Sequence, residues 1–286
     1  NTFTAQTSHF TLFALIGESS TLLERLAGEN RYSTAVEISK EMYNTSSSVV
    51  LASGERFPDI LSGVALADSL KAPLVLTKPD SLNLCTKNEI ARLAVSNAHI
   101  IGGTKAISKE VENMLDHLGY TVNRISGQDR YDTAVKIAKQ VYLEDSVTQV
   151  FITSGKNFPD ALSTGSPARK LKAPLLLVKK DSIPLVIQTY LSKLTSLKTI
   201  NIIGGERVIS QNVAEDLEAY GQVLRIKGED RYETSVKVAN EFYTSVDNLI
   251  ISRGDNFPDV LVGNVLAITK EAPVILTRSN YLPSII

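Results

Sequence analysis

GENRYSTA at residues 28–35 returns as GQDRYDTA at 127–134 and as GEDRYETS at 228–235. The leading glycines, Gly28, Gly127 and Gly228, stand 99 and 101 residues apart. A catalytic centre needs one copy of its machinery, so three copies of a polar, Arg-bearing octapeptide point to a repeated structural unit. Other landmarks keep the same order and interval. Phe-Pro-Asp recurs at Phe57-Pro58-Asp59, Phe158-Pro159-Asp160 and Phe257-Pro258-Asp259, and the prolines of Lys-Ala-Pro, Lys-Ala-Pro and Glu-Ala-Pro fall at 73, 174 and 273. The unit is about 100 residues long, the size of a small domain rather than of a solenoid repeat, and large enough for a core of its own.

The second copy reads most plainly. Residues 122–126 form a short strand, and a helix starts near Arg130 with Tyr131, Ala134, Val135, Ile137 and Ala138 on its apolar side. After the apolar strand VFITS (150–154), Pro159 opens a helix with Asp160 beside it. Proline's missing donor is harmless in a first turn, and a carboxylate suits the positive end of the helix dipole. A strand at 174–180, a helix to about Leu197, a strand and Gly-Gly turn at 199–205, and a helix through Val213 and Leu217 follow. Alternating short apolar strands and helices predict an α/β fold with mostly parallel sheets covered on both faces. The expectation is three tandem, small, doubly wound parallel-sheet domains over residues 20–118, 119–220 and 221–286. The third is incomplete at its C-terminal end: HIIGG (99–103) and NIIGG (201–205) have no counterpart before Ile286. Such a sheet has an open edge, so either the chain is cut short there or another segment supplies the missing strand. FALIG (13–17) resembles the missing element, and if it fills that place the three domains close on one another.

With 43% hydrophobic residues the 286-residue chain has ample material for packed cores. Its net charge of -1 provides no global field for nucleic acid or an anionic membrane, so an anionic partner must be met locally. A single cysteine, Cys85, excludes an internal disulfide; its counterpart is Val186, so it reads as a buried small hydrophobe. FTLFALIG (10–17) is too short for the roughly 18 apolar residues of a membrane span and reads as a strand. No basic region followed by an apolar one stands at Asn1, so the chain reads as a mature or trimmed product.

The fingerprints of nucleotide enzymes and serine hydrolases are missing, and His9, His99 and His117 have no metal-ligand spacing. Neither a metal nor a cofactor is expected. The recurring polar residues are more informative. Arg31, Arg130 and Arg231 precede Tyr32, Tyr131 and Tyr232, with threonines at 34, 133 and 234, where a strand gives way to a helix start. Helix N-termini at the carboxyl edge of a parallel sheet commonly receive ligands, and Arg adds a planar, multidentate donor. Arg25, Arg124 and Arg225 recur just before the glycines. The pairs Gly102-Gly103 and Gly204-Gly205 end a strand, where they serve a tight turn or offer amides to an anion. Two roles stay open for the arginines: ion pairs with Asp59, Asp160 and Asp259 or with Glu29, Asp129 and Glu229, or capture of a ligand. Three similar weak sites suit a repeating polymer, because the second and third contacts are intramolecular.

The succession R-x-x-G-x-[DN]-R-Y-x-T-[AS], F-P-D-[AVI]-L, K-A-P (E-A-P in the third copy) and I-I-G-G resembles the type 2 cell-wall-binding repeat of clostridial and related Gram-positive surface proteins, from Arg25 to Leu276. The resemblance implies Rossmann-like domains in a pseudo-threefold arrangement that anchor a protein noncovalently to an anionic secondary wall polymer. It implies no enzyme activity, an extracellular place at the wall or S-layer surface, and an effector region attached outside this chain. The basic donors it implies are Arg31, Arg130 and Arg231, with Gly102, Gly103, Gly204 and Gly205 in the strand-end turns and Asp59, Asp160 and Asp259 in the Phe-Pro-Asp turns. The chain departs from the pattern where Gly165-Ser166-Pro167 replaces the small residue near Gly63 and where the third copy reads DVLVGN. Competing readings are a wall-glycan hydrolase, which needs a positioned acid or nucleophile at a scissile bond, and an adhesin or S-layer building block.

Overall fold

A computed structural model describes residues 12–16, 22–56, 58–157, 159–255, 257–281 and 283. His9, Gly17, Phe57 and Phe158 lie outside the described residues. Two strands come first, β1 (Leu12–Ile16) and β2 (Leu22–Leu26). The first repeat continues with α1 (Arg31–Met42), β3 (Ser48–Ser53), α2 (Pro58–Ser69), β4 (Leu74–Thr77), α3 (Leu84–Arg92), β5 (Asn97–Ile101) and α4 (Lys109–His117). Next are β6 (Thr121–Ile125), α5 (Arg130–Val141), β7 (Gln149–Ser154), a 3-10 turn (Pro159–Ser163), α6 (Gly165–Lys170), β8 (Leu175–Val178), α7 (Leu185–Leu191), β9 (Thr199–Ile203) and α8 (Gln211–Leu217). The chain ends with β10 (Gln222–Ile226), α9 (Arg231–Phe242), β11 (Asn248–Arg253), α10 (Phe257–Thr269) and β12 (Val274–Thr277).

These strands make three four-stranded sheets in the orders β4-β3-β5-β6, β8-β7-β9-β10 and β12-β11-β1-β2. The first two are wholly parallel. In the third, β1 runs antiparallel to both neighbours, with Ala14 opposite Ile250 on one side and Glu24 on the other. It occupies the place that β5 and β9 hold elsewhere, so the segment resembling the missing element does complete the sheet, in reversed direction. Sheets and sequence repeats are thereby offset by one strand. β6 follows residue 118 yet lies in the first sheet, and β10 follows residue 220 yet lies in the second. Each octapeptide thus leaves the edge strand of one sheet, and its helix covers the next: α5 packs on β8, α9 on β12, and α1, entered from the third sheet, on β4. The ring is closed.

Period-two alternation sorts the strand residues between two cores. Val50, Ala52, Leu74 and Leu76 face inward with Phe151, Leu175 and Leu177 of the second sheet and Ile250, Val274 and Leu276 of the third, in one core shared by all three repeats. Val49, Leu51 and Val75 face outward under α3 and α4, and Val150, Ile152 and Leu176 face outward under α7 and α8. At the centre α2, α6 and α10 pack on one another. Cys85, on α3, is half-buried against the shared core rather than fully enclosed.

The second copy breaks the helix expected after Pro159. Pro167 has no N–H for the carbonyl of Ser163 and its ring crowds that carbonyl, whereas the matching positions hold Leu66 and Leu266. The chain forms a 3-10 turn, then restarts at Gly165. Asn264 of α10 enters the gap: its Nδ2 donates to the carbonyl of Leu162 at 2.8 Å and its Oδ1 accepts from the amide of Ser166 at 3.1 Å. A side chain of the third repeat thus replaces a helical hydrogen bond of the second. Gly165 is required beneath it, since a Cβ there would lie 2.7 Å from Oδ1. Asn264→Ala removes the partner of two buried backbone groups and is expected to cost about 2 kcal/mol, read from urea unfolding at unchanged m-value.

Clefts between the repeats

The octapeptide is a helix start that admits no substitution at its glycine. Asn30, Asp129 and Asp230 are the N-caps of α1, α5 and α9, each side-chain oxygen accepting from the backbone amides two and three residues on. The amides of Gly28, Gly127 and Gly228 donate to Thr34, Thr133 and Thr234 Oγ1 at 3.1, 3.0 and 2.9 Å. The loop is folded so tightly that a Cβ on Gly127 or Gly228 would meet first-turn backbone at 2.5 Å. The Arg-Tyr pair then clamps the end of the neighbouring strand. Arg31 and Arg231 Nη1 donate to the carbonyls of Gly54 and Gly254 at 2.6 and 2.7 Å, and Arg130 donates to that of Gly155. Tyr32, Tyr131 and Tyr232 lie over those same glycines, where a Cβ would strike the ring.

The second arginine series holds the Gly-Gly turns. Arg124 donates to the carbonyls of Gly102 and Ser108 and pairs with Glu112 at 2.7 Å; Arg225 donates to the carbonyls of Gly204, Ile209 and Ser210. Gly102 and Gly204 have φ of 94° and 119°, left-handed backbone that favours glycine, so the first residue of each pair has a conformational reason to be there. Gly103 and Gly205 line the clefts that follow.

Because a helix of one repeat docks on the Phe-Pro-Asp turn of the one before, the repeated residues of two repeats meet. Between the first and second lies a cleft of about 590 Å³ whose charged lining is Arg56, Lys105 and Arg130 with Glu55, Asp59 and Asp129. The equivalent cleft between the second and third, of about 850 Å³, is lined by Arg207, Lys227, Arg231 and Lys237 with Asp160, Glu206, Glu229 and Asp230. Thr234 donates across it to Asp160 at 3.1 Å. Each aspartate of the Phe-Pro-Asp series stands near the arginine of the next repeat, not its own: Asp59 near Arg130, Asp160 near Arg231, and Asp259 near Arg31. Burial pushes all three carboxyls upward, Asp259 to about 6, against the opposing pull of those arginines. Tyr32, Tyr131 and Tyr232 are likewise pushed up, chiefly by burial.

A threefold ring of α/β repeats whose junctions carry this octapeptide matches Cell wall binding domain 2 (CWB2) over residues 25–112, 124–214 and 225–285. The chain belongs to that family. It is 33% identical over 271 residues to the N-acetylmuramoyl-L-alanine amidase LytC of Bacillus subtilis (strain 168), covering 95% of this chain and 53% of that protein. It is 32% identical over 272 residues to the amidase enhancer of the same organism, covering 95% of this chain and 37% of that protein. The chain therefore spans about half, or less, of these relatives. Among solved structures, Cwp6 from Clostridium difficile aligns with a TM-score of 0.84 at 30% identity, over 94% of this chain and 44% of that one. Cwp8 from Clostridium difficile aligns at 0.79 and 31% identity, over 88% and 44%. The module is a cell-wall-binding one, and its fold is the one the resemblance implies. Among the described residues no helix is long and apolar enough to cross a membrane.

Asp259 is 3% exposed, so its titration couples to stability. Its folded value of about 6 lies above the ordinary 3.8, so the folded protein holds the proton more tightly than the unfolded chain does. Stability is therefore expected to rise as pH falls from above 6 toward 4, by up to about 3 kcal/mol from this group alone. Asp59 and Asp160 act in the same direction. Thermal unfolding of parent and Asp259→Asn across pH 4–7.5 checks this: the variant's profile should be flatter.

Proposed function

We propose that this module is a noncatalytic anchor that holds a surface protein to the wall by taking an anionic secondary polymer into the clefts between its repeats. The observation that carries the reading is the recurrence of Arg130 and Arg231 at equivalent clefts, one amino group of each tied to a glycine carbonyl and the side chain lining the cleft. An arginine held in this way is already oriented and loses little freedom on binding. Cations and carboxylates alternate around each cleft, a lining suited to a sugar chain with acidic groups: guanidinium and ammonium take the acidic groups, and carboxylates accept hydroxyls. Gly103 and Gly205 add backbone at the rim, and Arg31 beside Asp259 extends the series to the third junction. Weak contacts of this kind gain from being linked in one chain.

Similarity to both an amidase and an amidase enhancer supports an anchor that serves different attached regions. We place such an effector outside this chain, and the whole at the extracellular wall or S-layer surface. Thr234, whose hydroxyl meets Asp160 across a cleft, is also bonded to the Gly228 amide and the Asp230 carbonyl and so serves the helix start, which gives the hydrolase reading no support.

Binding to purified wall sacculi should weaken as salt rises, since exposed ionic contacts are screened. It should be lost when the anionic polymer is stripped; binding unchanged by stripping would sink the polymer reading. Arg130→Gln should loosen binding modestly and cost about 1–3 kcal/mol through the unpaired Gly155 carbonyl. Replacing Arg31, Arg130 and Arg231 together should reduce binding far more than any single change. A folded triple variant that binds like the parent means that other residues hold the polymer.

A further inference from the structure

The central helices begin at the clefts and end at the opposite pole. α2 runs twelve residues from Pro58 to Ser69, about 18 Å. There the C-terminal ends of α2, α6 and α10 surround another pocket, of about 560 Å³. Its charged lining is four cations, Lys71, Arg169, Lys170 and Lys172, against two carboxylates, Asp68 and Glu271. The clefts balance their charges; this pocket does not.

Among the described residues four other than glycine have left-handed backbone; one, Ala94, follows α3, and the other three stand on this rim. Each central helix closes with the amide three residues past its end folded back, Ala72 to the carbonyl of Ala67, Ala173 to Ala168 and Ala272 to Ala267, at 2.8–2.9 Å. That closure forces the preceding residue into left-handed conformation, the position glycine usually fills. Here the residues are Lys71, Lys172 and Glu271, with φ of 50°, 51° and 50°. A side chain with a Cβ is strained in this conformation where glycine would not be, and at two of the three equivalent positions that side chain is a lysine facing the pocket. The closing amides meet the carbonyls of Ala67, Ala168 and Ala267, so these lysines are not needed there; Lys170 instead donates to the carbonyl of Phe242, at the end of α9, at 3.2 Å. Lys71 shares Asp68 with Arg169, at 3.2 Å, while Lys170 is steadied over the Tyr243 ring at 4.2 Å.

We propose that this axial pocket is a second anion site, separate from the clefts, and that it takes a phosphate-bearing group. The phosphate has two sources, a free small molecule or a group on a polymer. Titration calorimetry of the intact chain with inorganic pyrophosphate, and separately with phosphorylated polymer released from sacculi, tells them apart. At least one probe should bind the parent and lose about tenfold in affinity in Lys71→Gly/Lys172→Gly. The thermal midpoint of that variant should stay level or rise, because glycine relieves the backbone. Lys71→Arg/Lys172→Arg should keep the binding, and Arg130→Gln should leave the axial component unchanged. The proposal is overturned if neither probe binds the parent, or if the Gly double variant binds both as the parent does. A double variant that melts lower with binding intact also overturns it, since the lysines would then serve the helix ends.

Discussion

Two helices that are apolar on almost every side, α2 and α10, have to be buried somewhere, and that requirement organises the whole molecule. In α10 every residue from Pro258 to Ala267 is buried, and in α2 the run Ile60–Val64 is buried, with Leu66 and Ala67. A helix with no polar face cannot sit between one sheet and water. Packing α2, α6 and α10 against one another meets the need, and it turns the inner faces of three sheets toward a common axis. The ring then needs no outer clamp. It does need a second pair of strands for the third sheet beside β11 and β12, which β1 and β2 supply from earlier in the chain.

The two polar regions follow from the direction of those helices. α2, α10 and the 3-10 turn that precedes α6 start at the carboxyl edges of their sheets, where Asp59, Asp259 and Asp160 each face the arginine of the next repeat across a junction. Had each aspartate met the arginine of its own repeat, the charges would close within one domain and the junctions would be plain contacts. The one-strand offset between sheet and repeat prevents this. The same offset makes every cleft a product of two repeats, so an isolated repeat has half a cleft on each side.

Much of this was legible in the residues because repetition marks what position alone does not. The octapeptide, the Phe-Pro-Asp turn and the alternating strands gave the α/β class and the threefold order. What was hidden has physical reasons. The strand at 121–125 looks the same whichever sheet it joins, and only its register beside β5 decides. The bonded partners of Arg31, Arg130 and Arg231 include backbone carbonyls, which carry no residue type for a sequence to display. Lys71 and Lys172 announce no left-handed backbone, because the usual sign of it is glycine. Pro167 did stand in plain view, and its consequence needed only the missing amide; the place of Asn264 in the resulting gap required the fold.

Repetition also creates a hazard: three similar units in one chain can pair in the wrong order or with the units of another molecule. The axis resists this because matched positions hold unmatched residues. Where α2 has Asp68, α6 has Arg169 and α10 has Ile268, and the first two form an ion pair that no second copy of either would allow. Four residues back, one helical turn, Val64, Gly165 and Asn264 correspond, and the asparagine fits only against the glycine, where Pro167 has opened the helix. An exchanged order would set a carboxylate or a guanidinium against an apolar side chain, or place a Cβ inside the asparagine's site. Departures from symmetry at the axis thus fix which repeat follows which, while the clefts keep the residues they share.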